Sequence, residues 1–297
     1  MKSLIGFLCL FSLLATLTQA EALDTIKIEQ IIGLKGALNT NEGVFKVTSP
    51  RNDMKVSVDG WTMPPFMGLA SWAAFTEQKT DDVMVMGDTV LFQDEVNPVM
   101  SVALDNGLAV TALHNHFFYD EPKVYFMHIS GMGEVEKLAT AVRKVWDKIK
   151  DIRAANPKPA AAFGSTALPS TNSISGGTIE RVLGVKGQAN NGMFKVVIGR
   201  TTKMPCGCEM TKEMGVNTWA AFAGADDNAV VDGDFAVLEG ELQSVLKSLR
   251  HDGINIVAIH SHMTQENPRI LFLHYWGRGW TDDLARSLKA ALATHNN

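Results

Sequence analysis

Cysteine is scarce in this 297-residue chain: of three, Cys9 lies in an N-terminal apolar run, leaving Cys206 and Cys208 for the rest. Two thiols cannot form a multi-bridge scaffold, so the fold must stand on its hydrophobic cores. A basic excess is missing too. With 27 Lys and Arg against 32 Asp and Glu, the net charge is −5, which favours solubility and argues against a nucleic-acid partner. After Leu17 no stretch is long and apolar enough to span a bilayer. A serine-hydrolase elbow, a phosphate-binding P-loop and a dinucleotide fingerprint are all absent.

What is present begins with a leader. Met-Lys-Ser is followed by an uncharged apolar run from Leu4 to Leu17, then Thr18-Gln19-Ala20 ahead of Glu21. A short basic start, a core shorter than a membrane span and small residues before the junction predict a secretory signal peptide over residues 1–20. A membrane anchor is the alternative, and the shortness of the run weighs against it. Cys9 lacks the lead of a lipoprotein cleavage site. The protein is therefore expected in the periplasm or secreted, with no stable membrane insertion.

The remainder repeats itself, which organises everything else. Ile28-Glu29-Gln30-Ile31-Ile32-Gly33 is echoed by Ile179-Glu180-Arg181-Val182-Leu183-Gly184, and Ser71-Trp72-Ala73-Ala74-Phe75 by Thr218-Trp219-Ala220-Ala221-Phe222. Gly87-Asp88 matches Gly233-Asp234, His114-x-His116 matches His260-x-His262, and His128 matches His274. From the Gly87 and Gly233 pair onward the spacing holds at 146 residues. Between the copies, a Pro-, Ala- and Ser-rich stretch without apolar periodicity reads as a linker over 153–177. The first repeat domain is placed at 23–152 and the second at 178–295.

Each copy mixes patterns. Asp24 and Gly33 bracket a short helix, as Thr178 and Gly184 do its twin. β-type runs are expected at 44–48, 55–58, 71–75 and 83–92, a helix at 97–106, a strand buried on both faces at 108–116 and a strand at 124–130. Val135, Leu138, Val142, Val145 and Ile149 fall at helical spacing, as do Leu284, Leu288 and Leu292. The fold class is α+β: two tandem homologous domains, each a mostly antiparallel sheet flanked by helices, related by a pseudo-twofold axis.

Residues two apart on a strand share a face, so His114 and His116 project together, as do His260 and His262. If the next strand pairs antiparallel, His128 and His274 join them. Three converging imidazoles form an open metal site for a divalent metal, zinc first, able to generate hydroxide at neutral pH. Asp120 and Glu266, at matching positions in the intervening turns, are the candidate general bases or fourth ligands. A buried histidine more often satisfies a core hydrogen bond, and duplication would carry structural histidines along too.

Other features have simpler readings. Cys206 and Cys208 offer a redox-labile bridge, a soft ligand pair or incidental thiols. Met84, Met86 and Met127 read as core filling, Trp72 and Trp219 as core, and Asp88 and Asp234 as parts of tight turns. Gly131, Gly133, Gly277 and Gly279 precede helices, where amides receive anions, but turn formation explains them equally.

Ser-Trp-Ala-Ala-Phe, Ala-Leu-His-Asn-His with Pro122 to His128, and Ala-Ile-His-Ser-His with Pro268 to Gly277 together resemble the LppY/LpqO family, whose namesakes are mycobacterial lipoproteins of unknown function. The resemblance spans nearly the whole mature chain and implies an exported, duplicated protein, without supplying an activity. The missing lipobox departs from it. Two functions are weighed. One is an exported metal-binding protein of the cell envelope, extending to a metal-dependent hydrolase, acting on a small-molecule or cell-envelope ligand. The other is a non-catalytic periplasmic ligand-binding protein with structural or anion-binding histidines.

Overall fold

The computed structural model describes residues 23–78 and 82–295. The signal peptide read at residues 1–20 lies outside them. In the first repeat the elements are α1 (Thr25–Ile32), β1 (Gly36–Asn39), β2 (Val44–Pro50), β3 (Val56–Val58), β4 (Trp61–Met63), β5 (Ala70–Glu77), β6 (Val83–Phe92), α2 (Gln93–Asp105), β7 (Ala109–His114), β8 (Asp120–Glu121), β9 (Val124–Gly133) and α3 (Val135–Ala155). The second contains α4 (Gly176–Leu183), β10 (Gly187–Asn190), β11 (Met193–Gly199), β12 (Thr202–Lys203), β13 (Glu209–Met210), β14 (Asn217–Ala225), β15 (Asn228–Leu238), α5 (Leu242–His251), β16 (Asn255–His260), β17 (Ile270–Gly279) and α6 (Thr281–Ala293). No helix of the described residues is long and apolar enough to cross a membrane.

Local chemistry explains the boundaries. The Asp24 carboxylate accepts the Lys27 amide at 2.9 Å, and Gly33 ends α1 in the left-handed conformation at φ 77°. Its twin α4 ends the same way at Gly184. Alternation of apolar and polar residues sets the strands. In β6, Val83, Val85 and Leu91 face the helices, whereas Met86 and Asp88 face the other way.

Antiparallel pairing runs through one twelve-stranded sheet in the order β1-β2-β5-β6-β9-β7-β16-β17-β15-β14-β11-β10. The helices of both repeats pack on one face of it, in a single apolar core that includes Val142, Trp146, Phe75, Phe222 and Leu246. The opposite face is largely open. Two smaller apolar groups lie apart from this core, one built around Phe92 and Phe126 and one around Phe272 and Ile270.

The halves join where Leu113 of β7 pairs with Ile259 of β16, its own equivalent at the 146-residue spacing. Pairing of equivalent residues in antiparallel strands requires a local twofold axis normal to the sheet. Side chains obey the same symmetry. Asn97 Nδ2 donates to the Ile256 carbonyl at 3.1 Å while Asn97 Oδ1 accepts the Ile256 amide at 2.7 Å. Across the axis, Gln243 Oε1 accepts the Val110 amide and Gln243 Nε2 donates to the Val110 carbonyl, both at 2.9 Å. Val110 and Ile256 sit beside bulges in β7 and β16, where the ladder registers shift. Each amide stands in for a missing strand neighbour.

Three sequence expectations need correction. The run at 108–116 is not buried on both faces, since β7 buries only Val110 and Leu113, exposes Thr111 and ends at His114. Met86 is half exposed on the open face, while Met127 is core as expected. Gly131 and Gly277 lie inside strands, and a Cβ there would press on Leu138 and Ile254 respectively, so close helix packing explains them.

The amide exchange makes a stability prediction. Asn97→Ala and Gln243→Ala should each lower unfolding free energy by about 1–3 kcal/mol, the cost of orphaned backbone groups. Urea denaturation followed by circular dichroism reads this, and a loss under 0.5 kcal/mol for both would show that the junction does not need them.

Candidate metal centre

Strand register builds the site. His274 of β17 lies opposite Asp234 of β15 on one side and Ala258 of β16 on the other, and His260 follows two residues after Ala258. All three side chains therefore reach the open face. The first repeat repeats the arrangement, with His128 opposite Asp88 and Ala112, and His114 two residues on. In both copies the two strand-borne imidazoles stack nearly parallel, with centroids 5.0 Å apart for His260 and His274 and 5.2 Å for His114 and His128.

The third imidazole arrives by a different route from the one strand periodicity suggested. His116 and His262 lie beyond the strand ends, and each ring rests flat on a buried phenylalanine. Centroid separations are 3.3 Å for His116 on Phe126 and 3.5 Å for His262 on Phe272. That contact brings His262 Nε2 to 3.2 Å from His260 Nε2 and His116 Nε2 to 3.2 Å from His114 Nε2.

Asp234 completes the second group. Its Oδ2 lies 3.3 Å from His262 Nε2 and 3.8 Å from His260 Nε2. Asp234, His260 and His274 offer donor atoms all within 4.8 Å of one another, and among the described residues this close grouping is met in the second repeat. Zinc–nitrogen bonds of about 2.0–2.1 Å in a tetrahedron place two nitrogens about 3.3 Å apart, close to the edges seen here. The rings are oriented from behind: His262 Nδ1 lies 3.3 Å from the Gly215 carbonyl and His274 Nδ1 lies 3.2 Å from the Gly233 carbonyl. With Nδ1 donating, Nε2 presents its lone pair to the group.

Electrostatics favour a free lone pair on His260. Burial, then the neighbouring His274 and His262, bring His260 down to about 4. His114 and His116 are lowered as well, first by burial. Burial also raises the Asp234 and Asp88 carboxyls, against the pull of the nearby imidazoles. Asp234 Oδ1, Asp88 Oδ1 and His260 Nδ1 are buried without a protein partner. A buried carboxyl group among imidazoles is a ligand set for a divalent cation that favours nitrogen and oxygen.

Residues 26–148 and residues 177–294 each match the family described as Domain of Unknown Function (DUF1259). The chain belongs to that family and carries its domain twice. No curated protein and no solved structure matches it.

Of the residues proposed from sequence, the structure gathers His260, His262 and His274, and likewise His114, His116 and His128. Asp120 and Glu266 are not brought into either group. Asp120 Oδ2 accepts the Val124 amide at 2.7 Å, and its Oδ1 meets Lys123 Nζ at 3.1 Å. Glu266 Oε1 accepts the Ile270 amide at 3.2 Å. Both carboxylates thus secure the turn that leads into the third-histidine strand.

Asp88 and Asp234 are what sequence reasoning missed. Glycine followed by aspartate suggested a turn, yet both pairs lie in mid-strand. The glycines are there for space: a Cβ on Gly233 would collide with Tyr275 Oη and the Trp219 carbonyl, and one on Gly87 would sit 2.7 Å from the Trp72 carbonyl. Trp72 and Trp219 are not core either. They lie half-buried on the open face, in register with Asp88 and Asp234, with Lys46 and Lys195 ammoniums 4.3 and 4.2 Å from their ring centres. Cys206 and Cys208 are disulfide-bonded between β12 and β13.

Turn capping and cation binding separate experimentally. Glu266→Ala should cost about 1–3 kcal/mol of stability by orphaning the Ile270 amide, while leaving zinc affinity within twofold of the parent. Denaturation and competitive zinc titration measure the two, and a collapse of affinity with stability intact would move Glu266 into the centre.

Proposed function

We propose that this is an exported metal-binding protein of the cell envelope whose second repeat holds a divalent cation, zinc first, on Asp234, His260, His262 and His274. The observation that carries the reading is the convergence of His260 Nε2, His262 Nε2 and Asp234 Oδ2 at 3.2, 3.3 and 3.8 Å, beside His274. Recurrence of the 3.2 Å histidine pair in the first repeat supports it, with Asp88 in the matching position. Export is supported by the sequence at Met1 to Ala20, and the resemblance to LppY/LpqO proteins points the same way.

A hydrolytic activity extends this reading. His262 is exposed and lines an open cavity of about 560 Å³, so the centre is reachable by water and by a small ligand. A cation there lowers the pKa of bound water towards about 7. Burial of Asp234 and the two carbonyl-anchored imidazoles keep the ligand atoms in place, so little reorganisation accompanies binding. A non-catalytic ligand-binding protein would use the same centre and cavity, and differs only in showing no turnover.

Elemental analysis of untagged protein purified without chelator is expected to find at least one zinc or similar transition metal per chain. Asp234→Asn and His260→Ala should each weaken zinc binding by about 10–100-fold or more, as loss of a ligand does. Full metal content in His260→Ala together with His274→Ala would overturn the second-repeat centre.

A further inference from the structure

The cavity beside the second centre is cationic, and its surroundings differ from those of the first. His262 and Trp219 form part of its wall, so it opens onto the proposed cation. Lys186, Lys195 and Lys212 line it against one carboxylate, Glu213. Lys186 is paired with Glu180 at 2.8 Å and Lys212 with Glu213 at 3.4 Å. Lys195 makes no ion pair among the described residues. Its ammonium lies 4.2 Å from the Trp219 ring centre, and Trp219 is in register with Asp234. An aromatic face orients an ammonium without neutralising it, so Lys195 has donors to spare two strands from Asp234, across Trp219.

Equivalent positions in the first repeat carry less of this polarity, although Lys186 and Lys195 have counterparts in Lys35 and Lys46. The short turn ending at Gly215 carries Lys212 and Glu213, whereas the one ending at Gly68 has Pro65 and Phe66. Asn217 and Gln188 become Ala70 and Ala37. The Lys46 and Trp72 stack persists, and so does Lys35, but the counterparts of Lys212, Asn217 and Gln188 are apolar. A cavity of this volume suits a small molecule.

We propose that the second-repeat cavity recognises a small molecule through an oxyanion group, a phosphate or a carboxylate, gripped by Lys195 and facing the cation. Only the second contact rests on the metal reading. Lys195 holds one oxygen by a charge-assisted hydrogen bond, and the Trp219 wall is left for the organic part of the ligand.

Isothermal titration of the full chain with inorganic phosphate and with acetate, on zinc-loaded and metal-free protein, tests this. Binding of one anion per chain is expected, and the tighter of the two names the group. Lys195→Met should weaken it by about tenfold, Lys195→Arg should retain it, and Lys46→Met should leave it within twofold. Zinc affinity should be unchanged in all three. The arginine variant separates lost charge from lost structure. Equal phosphate binding by Lys195→Met and parent, or an equal loss in Lys46→Met, would overturn the proposal. Lysine-dependent anion binding without any zinc binding would keep the cavity and remove the metal centre. Zinc binding with neither anion bound would do the reverse.

Discussion

Two amide side chains, Asn97 and Gln243, each fill the hydrogen-bonding gap left by a bulge in the other repeat's central strand. The rest of the architecture follows from that exchange and from the pairing of Leu113 with Ile259 between them. Because the axis stands normal to the sheet, both repeats turn their helices to the same side. Both histidine groups consequently share the other side, where no helix competes for the space and the groups are reachable. A twofold axis lying in the sheet would have placed one group under helices.

The open face also explains how polar residues survive in the middle of a long sheet. Asp88 and Asp234 are buried by their strand neighbours and the flanking imidazoles rather than by core packing, so burial raises their carboxyls while the rings oppose the shift. Elsewhere, buried charge is handled conventionally. Glu95 is fully buried, takes both Arg51 nitrogens at 2.7 and 3.0 Å and accepts the Phe92 amide at 2.8 Å, fixing the corner between β6 and α2. Arg200 and Glu241 repeat that pairing at 2.7 Å. The corners are satisfied within the protein; Asp234 Oδ1 and His260 Nδ1 are not.

Much of this was legible in the chain itself. Internal repetition, the capped helix α1, the glycine that ends α4, the β6 run over 83–92 and the gathering of three histidines per repeat follow from local spacing, whereas Thr178 lies inside α4 rather than at its N-cap. What escaped has identifiable physical causes. His-x-His parity led to the right neighbourhood for the wrong reason, since His116 and His262 are placed by stacking on Phe126 and Phe272 after the strands have ended. Gly-Asp carried a turn signal because glycine's need for room, against Tyr275 and Trp219, is a long-range packing fact. Trp72 and Trp219 sit in apolar-looking runs whose outward face becomes visible only once the helices are known to cover one side. Asp120 and Glu266 lie near the histidines in sequence, but each gives one carboxylate oxygen to a backbone amide of the turn.

The pairing of Leu113 with Ile259 is isologous: each strand presents to its counterpart the surface it receives. Such a contact is consumed once and cannot propagate, so a third copy would find no vacant junction to join. Among the described residues the edges of the twelve-stranded sheet are β1 and β10, four residues each, at its opposite extremes. Brevity there limits templating by another chain. Duplication thus doubles the ribbon of hydrogen bonds without adding a free edge at its centre.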